Sequence, residues 1–254
     1  MDLKKLFALV TVAGFVVTAG CGQKDDDDLM AGGGGSKAAA VMGTASVAGK
    51  VTLTGKASAP AAISMDADPV CKTQHAGSVS DETVVANKKG ELANVMVYVK
   101  EGAGNYPAPA TSVQLDQKGC TYHPHVFGIQ VGQTLSIQNS DPTLHNVHSM
   151  AAANDTFNVG QPNQGMKTEK KFTKAEMPVK FKCDVHSWMK CFVGVFTHPF
   201  FSVTAADGSF KISGLPAGSY TVVAWQEKYG ESAPQKVDIK DGEAKSLNFT
   251  FTAQ

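Results

Sequence analysis

Apolar and polar residues alternate with a period of two along much of the chain. The clearest runs are Val51 and Leu53; Val95, Val97 and Val99; Leu135 and Ile137; Val179, Phe181 and Cys183; and Leu247, Phe249 and Phe251. Successive side chains of a strand point to opposite faces, so this pattern predicts half-buried strands. Asp207-Gly208, Asp241-Gly242 and the Pro216-Ala217-Gly218 step fall between such runs and read as the turns of antiparallel hairpins. No window shows the spacing of an amphipathic helix, and Thr173–Glu176 is expected to hold at most a turn. The expected fold class is all-β.

The first residues break this pattern. Lys4 and Lys5 precede the apolar run Leu6–Val17, which is too short to span a bilayer comfortably and predicts an export signal. Thr18, Ala19, Gly20 and Cys21 resemble the end of a bacterial lipoprotein signal. That resemblance implies a signal peptide over residues 1–21, lipidation of Cys21 and an extracytoplasmic, membrane-anchored protein in the periplasm or at the outer membrane or cell surface. Thr18 stands where such signals usually carry an aliphatic residue, so cleavage with release is the alternative; Gly22 is compatible with outer-membrane sorting. Residues 22–46, with four consecutive aspartates and four consecutive glycines, read as a solvated linker. Adjacent carboxylates repel and match no calcium loop of alternating ligands.

About two hundred residues remain, enough for one large or two small cores. The 23 basic residues are all lysines and balance 23 acidic ones. With no basic cluster and no arginine fork for phosphate, nucleic-acid and nucleotide binding are excluded.

Chemistry concentrates in FKCDVHSWM, Phe181–Met189, where Cys183, His186 and Met189 follow one another with two residues in each gap. Thiolate and thioether favour Cu(I), imidazole serves both oxidation states, and zinc rarely recruits methionine. From Tyr122 to Asn146 the pattern of an aromatic residue, Pro124, Phe127, Ile129, Gly132, Leu135, Ile137, Asn139 and finally His145-Asn146 resembles the plastocyanin and amicyanin family of cupredoxins. The resemblance covers roughly residues 110–200. It implies a Greek-key β-sandwich binding one copper ion per chain through His145, Cys183, His186 and Met189, with Asn146 tying the two ligand loops together. It further implies that the His186 ring edge is the electron port, with Trp188 and Phe192 either an apolar surface around it or ordinary core aromatics.

Of the other histidines, His148 is expected on the opposite face from His145, in a surface or supporting role. His123 and His125 share a face across Pro124 without an obvious cysteine or carboxylate to complete a site, and are read as structural. His75 and His198 carry no motif. Five cysteines are present. With Cys21 lipidated and Cys183 a ligand, a Cys71–Cys120 disulfide is expected, since both lie in loop-like sequence of an exported chain. Cys191 is then a buried thiol; it follows Met189, so it cannot build a binuclear copper centre of the cytochrome-oxidase kind.

VTAADGSFKISGLPAGSYTVVAWQEKYG, Val203–Gly230, resembles carboxypeptidase regulatory-like, transthyretin-like β-sandwich modules. Such modules begin with strands like Gly49–Gly55 and Ala93–Lys100, which here precede the copper motifs. The implied arrangement is a β-sandwich of residues 47–104 and 202–254, split by a cupredoxin domain at 110–200; tandem domains are the alternative. Nothing resembles peptidase machinery. The expected function is single-electron transfer by a blue copper protein with a redox partner protein, not enzymatic turnover. Copper storage or delivery is the alternative, though the nine methionines are scattered; a metal-free binding module is another.

Overall fold

The computed structural model describes residues 41–56, 59–75 and 77–253. The expected signal peptide, lipidated Cys21 and most of the linker lie outside the described residues. The fold is all-β: two β-sandwiches, one of them interrupted in sequence by the other.

The outer sandwich draws on both ends of the described chain. In one sheet the strand Ala45–Thr54 pairs antiparallel with Ser209–Leu215 and, on its other edge, parallel with Ala244–Ser246 and Phe249–Thr252. In the facing sheet Met96–Glu101 lies antiparallel to Phe201–Val203 and to Gly218–Gln226, which continues to Gly230–Glu231 and Gln235–Ile239. The alternating residues meet between the sheets: Val51, Leu53, Val95, Val97, Val99, Phe249 and Phe251 share one buried cluster with Phe200, Phe210 and Val222. The Asp207-Gly208 turn works as the sequence requires. Gly208 sits at φ +73°, and a Cβ there would come within 2.6 Å of the Val51 carbonyl oxygen, so a side chain is excluded on conformational and steric grounds.

Residues 113–196 form the inserted sandwich. One sheet runs Asn158–Gln161, His145–Ser149, Glu176–Lys182, Lys190–Phe196 and Val126–Gln130; the other runs Lys167–Lys170, Leu135–Asn139, Val113–Lys118 and Thr121–His123. Neighbours include two parallel pairings, 190–196 with 126–130 and 113–118 with 135–139, so the connections cross between sheets. Leu135, Ile137, Val179, Phe181 and Cys183 enter its core. A third apolar cluster, including Met96, Tyr98, Val126, Phe196, Val223 and Trp225, joins the two sandwiches.

Thr173–Glu176 holds no helical turn. Two features differ from expectation, the first a short helix at Pro69–Thr73. Proline at its first position is pre-set for the helix, and Asp68 caps it by accepting from the Val70 and Cys71 amides. The excursion between Thr54 and Met96 also does not pack wholly with the outer sandwich. Met65 and Cys71 are buried in the inserted core, with Ile63 and Val79 against them.

Candidate metal centre

The strand Glu176–Lys182 alternates as the sequence predicts, burying Val179 and Phe181 while Lys180 faces solvent, and delivers Cys183 into the interior. The loop after it is closed by backbone bonds: the Met189 amide donates to His186 O at 2.9 Å and the Cys183 amide to Met189 O at 3.1 Å. Both bonds hold Cys183, His186 and Met189 on one short turn, with Met189 buried. On the other side, the buried Asn139 side chain shapes the turn before His145, donating to Thr143 O and Gln161 O and accepting from the Asp141 amide.

These two stretches converge. His145 Nδ1 lies 2.9 Å from His186 Nδ1, and Cys183 Sγ lies 3.8 Å from His186 Nδ1. One donor atom from each of His145, Cys183 and His186 falls within 4.8 Å of the others, all buried. Asn146 links the two loops: its Oδ1 accepts from the Asp184 amide at 2.7 Å and from Cys183 Sγ at 3.2 Å.

Each imidazole turns its outer nitrogen to a carboxylate. His145 Nε2 donates to Asp141 at 2.9 Å and His186 Nε2 to Asp68 at 3.0 Å. Asp141 is itself buried and also accepts from the Gly119 and Cys120 amides. With both Nε2 protons committed outward, neutral rings present two Nδ1 lone pairs to each other across 2.9 Å, an arrangement stable only with a cation between them. Without metal a proton serves. Burial opposes charge on His145, but Asp141 and the Cys183 sulfur outweigh it and hold the ring up at about 9. Burial likewise opposes a Cys183 thiolate, yet hydrogen bonding from His145 and the neighbouring amides brings the thiol below its ordinary value. A soft metal ion satisfies thiolate and both lone pairs at once, and with the Met189 thioether in the same turn the donor chemistry fits copper better than zinc.

The resemblance implies an exposed His186 edge; the structure places a roof over it. His186 is 2% exposed. Cys71 Sγ, joined to Cys120 in a disulfide, lies 3.6 Å from its Nε2. Trp188 packs 5.0 Å from the ring and donates its indole N–H to Cys120 O. The physical cause is the excursion packing onto the inserted core. Phe192 faces away, toward Trp225 and His125.

His148 lies at the surface, bonded to Asp184. His123 and His125 part company: His123 is exposed and bonded to Thr121, whereas His125 is buried and paired with Glu227, a carboxylate distant in sequence. Cys191 is a buried thiol that burial pushes well up. Asp68 and Asp141 escaped the sequence reading. The frequent pairing of ligand histidines with carboxylates could have flagged Asp141, four residues before His145, but nothing local flags Asp68.

A family model for the carboxypeptidase regulatory-like domain matches residues 197–252. Among solved structures, a purple cupredoxin from Nitrosopumilus maritimus is 26% identical, with 32% of this chain and 97% of that one covered and a TM-score of 0.28. An oxidized amicyanin variant is 19% identical over 39% of this chain and 97% of its own, TM-score 0.31. A copper-containing nitrite reductase from Thermus scotoductus is 21% identical over 38% of this chain, TM-score 0.33, and the match spans a quarter of that chain. No curated protein matches the sequence.

Proposed function

We propose that the chain is a mononuclear type 1 copper protein that passes single electrons to and from a partner protein outside the cytoplasm. The observation that carries this reading is the meeting of two inward-facing Nδ1 atoms and one sulfur in a buried space, with both outer nitrogens already committed to carboxylates. His145, Cys183, His186 and Met189 would hold the copper, which supplies a one-electron couple. The chain's own residues do the rest. The Asn146 side chain ties the two ligand loops together by accepting from the Asp184 amide, the two carboxylates fix the imidazoles, and the apolar core around Cys183 keeps water out, so the ligands need little rearrangement when charge changes. The signal-like residues Met1–Cys21 support anchoring through a lipid on Cys21, and the short tether after them would keep the copper domain near the membrane surface. An open metal position is not needed, and catalytic turnover is not part of the proposal.

Titration of the purified apo-protein with Cu(II), followed by visible and EPR spectroscopy and elemental analysis, tests the reading. It expects one copper per chain and an intense thiolate-to-copper band that bleaches on reduction and returns on oxidation. Absence of the band in Cu(II)-loaded protein overturns it, and several coppers per chain would point to storage instead.

A further inference from the structure

The roof over His186 carries more than shielding. Asp68 reaches the metal centre from the excursion of the outer sandwich, and each of its oxygens has a separate task. Oδ1 accepts from the Val70 amide at 2.7 Å and the Cys71 amide at 3.3 Å, capping the helix. Oδ2 accepts from His186 Nε2 at 3.0 Å and from Thr143 Oγ1 at 3.1 Å. A helix cap needs only one oxygen, and serine or asparagine would serve as well. The second oxygen is aimed at a ring 118 positions away in sequence. It cannot easily swing off. The Cys71–Cys120 disulfide and the buried Met65 pin the excursion to the inserted core on either side of Asp68.

We propose that Asp68 is a positioning residue of the metal centre. It fixes the His186 tautomer with the proton on Nε2 and the lone pair of Nδ1 toward the metal, and its charge, set against the imidazole, favours the more positive oxidation state of the ion. Asp141 does the same for His145 from within the inserted sandwich, so the two rings are held alike, but only Asp68 makes the centre depend on a segment of the other sandwich. The inference rests on the copper reading above.

The experiment compares wild type, Asp68→Asn and Asp66→Asn as copper-loaded full chains, measuring the visible spectrum and the reduction potential. Asparagine keeps the capping oxygen and puts an N–H where His186 needs an acceptor. Asp66 is exposed, two residues away, and paired with Lys72 rather than with His186, so its variant removes a nearby charge without touching the ring. The expected result for Asp68→Asn is a shifted copper band and roughly a tenfold change in the Cu(I) to Cu(II) ratio at fixed poise in favour of Cu(I), about 59 mV for one electron, with Asp66→Asn unchanged. A wild-type spectrum and potential in Asp68→Asn would reduce Asp68 to a helix cap and overturn the proposal; equal shifts in both variants would overturn the positioning role, leaving only a diffuse field. Failure of the wild type itself to take up copper would instead sink the copper reading.

Discussion

The two sandwiches use their interiors differently. The outer one is filled with hydrocarbon: its core is alanine, valine, leucine, isoleucine and phenylalanine with one tyrosine, and its buried Thr204 serves the backbone, bridging Leu92 O and the Val95 amide. The inserted one buries Gln117, Asn139, Asp141, His145, Asn146, Gln161 and His186 alongside its aromatic residues. Desolvating such groups costs stability unless each finds partners, and nearly every one here does. The contrast teaches that one interior is built to hold a fold and the other to hold a set of atoms at fixed positions, the second leaning structurally on the first.

Substitutions can break or sharpen that contrast. The largest effect is expected at Cys183, where Cys183→Ser should remove the visible copper band completely while circular dichroism still reports a folded β protein; a surviving band would mean that the sulfur is not a ligand. In the hydrocarbon interior, Phe249→Ala should cost about 3–5 kcal/mol in a denaturant titration and leave the copper spectrum of the folded fraction unchanged. A spectral change there would show that the two interiors are not separable.

At the junction, His198 is stacked between Phe196 and Phe200, with its Nδ1 accepting from the Phe200 amide. Burial depresses its pKa to about 4. The unfolded chain takes up this proton near pH 6.5 and the folded one only near 4, so between those values the unfolded state binds more protons and stability falls as pH falls. The loss should approach about 3 kcal/mol over that window at about 1.4 kcal/mol per unit. His198→Gln should flatten this part of the pH profile of unfolding, and an unaltered slope would refute the assignment. Smallest of all, His148→Ala removes an exposed pair with Asp184 and should change stability by under about 1 kcal/mol with no change in colour. Bleaching by His148→Ala but not by His145→Ala would reverse the ligand assignment.

Much of this is legible in the sequence because its signals are local. Alternation at Val179, Phe181 and Cys183 fixes which way the thiol points, and the ligand spacing after it lies within one loop. The hairpin punctuated by Asp207-Gly208 is equally short-range. What stayed hidden depends on contacts between distant residues. Asp68 meets His186 only because the excursion folds across the other sandwich, and His125 finds Glu227 across the junction. The short helix was missed because five residues carry no period; only Asp68-Pro69 announces it, and that pair reads equally well as a turn. Asn158–Gln161 forms an edge strand on His145–Ser149, where one side open to solvent leaves no apolar pattern to read.

Phe201 lies directly opposite Tyr98 in an antiparallel pair, so the chain leaves the outer sandwich and re-enters it at adjacent points, about 5 Å apart. Geometrically, the inserted sandwich, residues 113–196, could be cut out and the gap sealed by a loop between these paired strands. Excision would nonetheless strand the apolar side chains of Met65 and Cys71, whose packing partners depart with the deleted piece. The splice is therefore simple in its covalent path and costly in its surfaces, which makes the two halves poor candidates for exchange as independent cassettes.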